Sequence, residues 1–150
     1  MNQPMKTPPP LEKSLSARSR KNLLEAMRGE AFAFAQYKMF ARHARTHGHN
    51  AVADLFDKTA DEEYLEHFAE LSDLSGLAGT DEQALNYAIA GESYEADTMY
   101  KLFAQDALED GDLEVAKRFG ELRHDEAVHR LAFQDALIRL QTTEWVSGKK

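Results

Sequence analysis

The stretch Arg123-His124-Asp125-Glu126-Ala127-Val128-His129 sets the reading of the whole chain. On a helix, Glu126 and His129 stand three residues apart and project from one face. A Glu-x-x-His pair aimed into a helix bundle is half of what a carboxylate-bridged pair of metal ions needs. Alone it is weak, because Glu and His fall three apart by chance in many helices. Its weight depends on whether the rest of the chain aims more carboxylates at the same point.

The pattern around it is helical. Val115, Phe119, Leu122, Glu126, His129, Phe133, Ala136 and Leu140 recur at three- and four-residue steps, with Asp112 placed as the N-cap. Upstream, Leu85, Ala88, Glu92, Glu95, Met99, Leu102 and Asp106 form the stripe of another helix, which Asp110-Gly111-Asp112 ends. Thr80-Asp81-Glu82-Gln83 has the form of a capping box at its start. A further helix runs from about Asn50 to Ser75 on the stripe Val52, Phe56, Ala60, Glu63, His67, Leu71 and Leu74, and Gly76 to Thr80 is a loop. The first helix starts near Ser19, carries Leu24, Met27, Glu30, Phe34, Tyr37, Ala41 and Ala44, and is closed by Gly48. No stretch alternates like a strand. The expected fold is all-α, a four-helix bundle over residues 16–142, with a flexible arm at 1–15 and a tail at 143–150.

Composition narrows the function. The chain has 150 residues, enough for one domain, with 43% hydrophobic and 29% charged residues. It has no cysteine, which removes disulfides, thiolate catalysis and every Cys-ligated zinc or iron–sulfur site. A formal charge of −8 argues against nucleic acid as a partner. There is no apolar run near the length of a membrane span, and Met1 to Pro10 has no apolar core of a secretory signal, so a cytoplasmic location is expected.

The chain also repeats itself. Tyr37 to Phe56 laid over Tyr100 to Phe119 without a gap matches Tyr37, Lys38, Phe40, Ala41, Ala44, Gly48, Ala53 and Phe56 with identical residues. Seven residues past each Phe stands a glutamate, Glu63 and Glu126; a histidine follows, His67 four on and His129 three on. Gly29-Glu30 answers Gly91-Glu92 with a one-residue offset. Two similar helix pairs, each bringing a Gly-Glu and a Glu-then-His, imply a pseudo-two-fold site. This repeat is the strongest evidence in the sequence.

Glu30, Glu63, Glu92, Glu95 and Glu126 lie on stripes otherwise filled by apolar residues. Five clustered carboxylates are costly to bury and repel one another, and two cations remove both problems. Oxygen ligands with one or two imidazoles and no sulfur suit iron or manganese better than copper or structural zinc. A single such Glu is more often a helix-edge residue reaching water; the matched set is not. Glu66, three residues after Glu63, is a rival to His67. Tyr37 and Tyr100 either reach the site with their hydroxyls or are plain core aromatics.

These residues resemble the ferritin-like di-iron domain of the rubrerythrin family. The resemblance spans about Leu11 to Leu140, through Gly29-Glu30 with Tyr37, Asp54-Leu55-Phe56, Thr59-Ala60-Asp61-Glu62-Glu63, Ala90-Gly91-Glu92-Ser93-Tyr94-Glu95 with Met99-Tyr100, and Glu126-x-x-His129. It implies two iron ions cycling between Fe2+ and Fe3+, bridged by oxo or carboxylate groups. Their ligands would be Glu30, Glu63, Glu92, Glu95, Glu126 and His129, with manganese or zinc as alternative loads and Tyr37 and Tyr100 as hydrogen-bond donors behind them. In the family one iron moves between a Glu on the third helix and a His on the second, roles that Glu95 and His67 would fill. The second-helix pair is normally Glu-x-x-His and here is Glu63-x-x-x-His67, which leaves that movement open.

The resemblance is to short members without the four-cysteine rubredoxin domain. It implies a peroxidase that reduces hydrogen peroxide and draws electrons from an external donor such as a rubredoxin or a reductase. The alternatives are a ferroxidase that handles Fe(II) and oxygen, or a metal-binding module without turnover. Short relatives are often homodimers, sometimes with helix pairs exchanged between chains.

Overall fold

The computed structural model describes residues 15–142; the arm and tail expected at 1–15 and 143–150, Trp145 included, lie outside the described residues apart from Leu15. Every regular element among the described residues is helical. The first helix, α1, is Ala17–Thr46, and the hydroxyl of Ser16 accepts from Ser19 N–H at 3.1 Å to cap it. The second runs through α2 (Asn50–Glu62), a π-helical segment (Glu63–Phe68) and α3 (Ala69–Ser75). The third runs through α4 (Asp81–Tyr94), a π-helical segment (Glu95–Met99) and α5 (Tyr100–Asp110), and the fourth is α6, Leu113–Gln141. No helix among the described residues is long and apolar enough to cross a membrane.

The chain divides into two compact units at Ala78/Gly79, each a helix pair. In the first pair, Gly48 takes φ +74, a backbone conformation that glycine adopts without strain. The chain then reverses with His49 N–H on Ala44 O at 2.9 Å. Ala41, Ala44 and Ala53 line the contact between the helices and are buried, which lets the backbones approach; Phe56 packs on them. Tyr37 and Phe40 stand 5.8 and 5.3 Å from Phe56, ring centre to ring centre. Lys38 bridges to Asp57 and Asp61, and Arg45 to Asp54 and Asp57, along the outer edge.

The second pair is built the same way. Gly111 has φ +83, and Asp112 N–H reaches Ala107 O at 2.8 Å. Phe119 receives Tyr100 at 5.8 Å and Phe103 at 5.6 Å. The repeat in the sequence is thus a repeat in space.

Three expectations need correcting or completing. Thr80 and Gln83 form both bonds of the capping box. Asp112 occupies the N-cap position of α6, but its side chain makes no cap hydrogen bond. Its ψ of 64° belongs to the tight turn, not to the extended backbone from which a cap side chain folds over the first amides. The apolar stripes are also not closed within a pair: Val52, Leu74, Leu102 and Val115 stand exposed. Two helices share one line of contact, and alanines occupy most of it.

Candidate metal centre

Each helix pair gathers one carboxylate from its leading helix and a Glu and a His from its following helix. In the first pair these are Glu30 on α1 with Glu63 and His67 on the second helix; in the second they are Glu92 on α4 with Glu126 and His129 on α6. The candidate ligand atoms in each group lie within 4.8 Å of one another. His67 Nδ1 is 2.7 Å from Glu63 Oε2 and 4.0 Å from Glu30 Oε2. His129 Nδ1 is 2.8 Å from Glu126 Oε2 and 3.8 Å from Glu92 Oε2. Even the burial matches, with Glu63 and Glu126 side chains 14% and 13% exposed and both histidines 56% exposed.

The two groups reach this likeness from different spacings, and the π segments explain how. The first group has its histidine four residues after the glutamate, the second three. The extra residue falls inside Glu63–Phe68, where bonds from i to i+5 widen the turn and absorb it. His67 therefore keeps the face that His129 has. The other offset works the same way: seven residues separate Glu30 from Tyr37, and eight separate Glu92 from Tyr100. That second extra residue falls inside Glu95–Met99, the other π segment. Both one-residue slips in the repeat are thus π bulges beside a candidate ligand.

Protonation follows from crowding. The carboxyl of Glu30 is raised above the ordinary carboxylate range by burial first and then by the Glu63 carboxyl beside it. Glu92 is raised by burial and then by Glu126. Glu95 is raised by burial and then by the charge of Glu126. The imidazoles move upward as well, His67 through its bond to Glu63 and His129 through its bond to Glu126. Each imidazole thus holds a proton more tightly beside its carboxylates than it would free in water.

The donor set fits a cation better than it fits itself. Among the described residues, Glu92 Oε2 is a buried side-chain oxygen without a hydrogen-bond partner. A buried carboxylate oxygen with nothing to accept from is costly, and a metal ion supplies the missing partner. Carboxylate oxygens with one imidazole per group, and no sulfur, suit an ion such as iron.

The remaining expected residues take definite places. Glu66 is exposed and outside the first group, which takes His67 instead. Glu95 is half-buried on the π segment near Glu126. Tyr100 is half-buried, its hydroxyl raised by burial and then by Glu95 and Glu126, while Tyr37 is half-buried against Phe56. Sequence reading missed Arg123, which donates to Ala96 O at 2.9 Å, and Arg130, which pairs with Asp97 at 2.6 Å. The signal was present, since the repeat sets Ala60 against Arg123.

Comparison with known proteins agrees with this geometry. A family model described as Rubrerythrin matches residues 21–137. A rubrerythrin from Nitratidesulfovibrio vulgaris is 33% identical over an alignment that takes in 86% of this chain and 78% of that one. A rubrerythrin from Porphyromonas gingivalis is 31% identical, over 83% of this chain and 68% of the other. A nigerythrin from Nitratidesulfovibrio vulgaris is 30% identical, over 72% of this chain and 60% of its own. With its two repeated helix pairs and matched Glu/Glu/His groups, this all-α chain of the ferritin-like four-helix class belongs to the rubrerythrin family.

Proposed function

We propose that the chain is a non-haem di-iron oxidoreductase of rubrerythrin type that reduces hydrogen peroxide to water with electrons from an external donor. The observation that carries this reading is the pair of matched Glu/Glu/His groups in one chain. Glu30, Glu63 and His67 would hold one ion and Glu92, Glu126 and His129 the other, with Glu95 as a further carboxylate beside Glu126. Bound there, two Fe(II) ions supply one electron each and a Lewis-acidic seat for the peroxide oxygens.

The protein's own share is protons and placement. Reducing one peroxide to two waters consumes two electrons and two protons. In the metal-free chain Glu95 is held above the usual carboxylate range by burial and by the charge of Glu126, so it gives up its proton less readily than a surface glutamate. Tyr100, raised by burial and by Glu95 and Glu126, keeps its hydroxyl proton and can steady an oxygen through it.

The test is anaerobic. The chain is loaded with two Fe(II), freed of excess iron, mixed with one equivalent of hydrogen peroxide, and followed by its near-ultraviolet ferric absorption in stopped flow; the run is repeated with air-saturated buffer. Fast oxidation by peroxide with slow oxidation by oxygen supports the peroxidase. Fast oxidation by oxygen with turnover of added Fe(II) supports a ferroxidase, a reading favoured by the exposure of His67 and His129 to arriving ions. No retained iron overturns both.

A further inference from the structure

A π segment frees a carbonyl when the helix returns to α geometry, because one oxygen is skipped in the ladder. In the third helix the skipped oxygen is Ala96 O. The amide four residues on, Tyr100 N–H, is taken by Glu95 O. Ala96 is 2% exposed, so water is a poor substitute. Arg123 Nε, on α6, donates to Ala96 O at 2.9 Å. Two turns further along α6, Arg130 Nη1 meets Asp97 Oδ2 at 2.6 Å. The two arginines bracket Glu126 and His129 in sequence, and they grip the two residues that follow Glu95.

The first helix pair is the internal control. The overlay that matches Tyr37 with Tyr100 sets Ala60 where Arg123 stands. The partner of Ala60 is α1, which is α-helical throughout Ala17–Thr46 and frees no carbonyl there. Ala60 is 0% exposed, packed where an arginine has no oxygen to serve. The leading helix that carries a bulge, in the second pair, has an arginine opposite it, and the leading helix without one, α1, has an alanine there.

A π bulge has no fixed address in a uniform helix. Sliding it by one residue exchanges one free carbonyl for another and costs few backbone bonds, while it turns the side chains it passes. The donor from Arg123 rewards the one register that frees Ala96 O. We propose that Arg123 is a positioning residue, which holds the bulge of the third helix in register and thereby sets the direction of the Glu95 carboxylate. The link to Glu95 rests on the reading of Glu95 as a metal-facing group; the latch itself does not.

The experiment uses the full chain and the variants Arg123→Leu, Arg123→Lys, Glu95→Gln and the double variant Arg123→Leu/Glu95→Gln. In the metal-free protein, amide hydrogen exchange at Met99, Tyr100 and Lys101 should quicken by about tenfold or more in Arg123→Leu while amides of the first helix pair are unchanged. Arg123→Lys, which keeps a donor, should recover most of the protection. With Co(II) as the probe, Arg123→Leu should shift the visible d–d bands and weaken the weaker ion by about tenfold, and Glu95→Gln should then add less than about twofold. Unchanged exchange at residues 99–101 overturns the latch. Equal Co(II) losses from Glu95→Gln with and without Arg123 overturn the link to Glu95. A wild-type chain that takes up no Co(II) overturns the metal reading and that link with it, while the exchange result still decides the latch.

Discussion

At the scale of single residues, the chemistry rests on carboxylates that share too little space. Glu126 is the most constrained, near Glu92 and Glu95 and bonded to His129. Glu126→Ala is expected to reduce bound metal from two per chain to one or none, with far-ultraviolet circular dichroism unchanged; metal analysis after desalting reads the outcome. Protons and metals compete for the same atoms. Glu30, Glu92 and Glu95 are raised from an ordinary 4.5, and His67 and His129 from 6.5. Each therefore binds its proton more tightly folded than unfolded, and its contribution is complete below the ordinary value and lost as pH climbs through the folded one. The metal-free chain should lose several degrees of thermal midpoint between about pH 5 and pH 8. Added Mn(II) or Co(II) should raise the midpoint more at pH 8 than at pH 6, because the ligands must shed protons to bind. Differential scanning calorimetry at matched ionic strength separates the two trends.

At the scale of elements, the helices matter for where they stop being regular. Deleting Leu65, an exposed residue in the first π segment, should return the second helix to continuous α geometry with the Glu-x-x-His spacing that the fourth helix already has. The variant is expected to keep two metals per chain and to bind them within about tenfold of the wild type; loss of a metal would show that the wide turn itself is needed. Gly111 makes a different point. An added Cβ there meets nothing within 4 Å, so the cost of Gly111→Ala is the left-handed backbone alone, about 1–2 kcal/mol in urea unfolding. The helix ends were legible in sequence because glycines and the Thr80 cap act locally. The π segments were not, since they show only as one-residue slips between two halves, and a slip alone does not say whether a helix bends, loops or widens.

At the scale of the whole molecule, each helix pair by itself leaves large apolar residues exposed, among them Phe32, Leu55, Leu74, Leu113 and Leu131. Apolar surface of that extent favours association. The expected homodimer should elute with light scattering at twice the 16.9 kDa chain mass, and its thermal midpoint should rise with protein concentration. A single-chain mass with a concentration-independent midpoint would remove the dimer.

Sequence by itself determined the helices, the internal repeat and the residues that gather in each pair. These follow from period, from end signals and from carboxylates placed on apolar stripes, all of which act within a few turns of chain. Only the tertiary structure brings His67 rather than Glu66 within 4.8 Å of Glu30 and Glu63, across the wide turn of the π segment. It also gave Arg123 its meaning. An arginine one turn before Glu126 reads as surface charge until its Nε is seen to donate to the carbonyl of Ala96, 27 residues away in sequence.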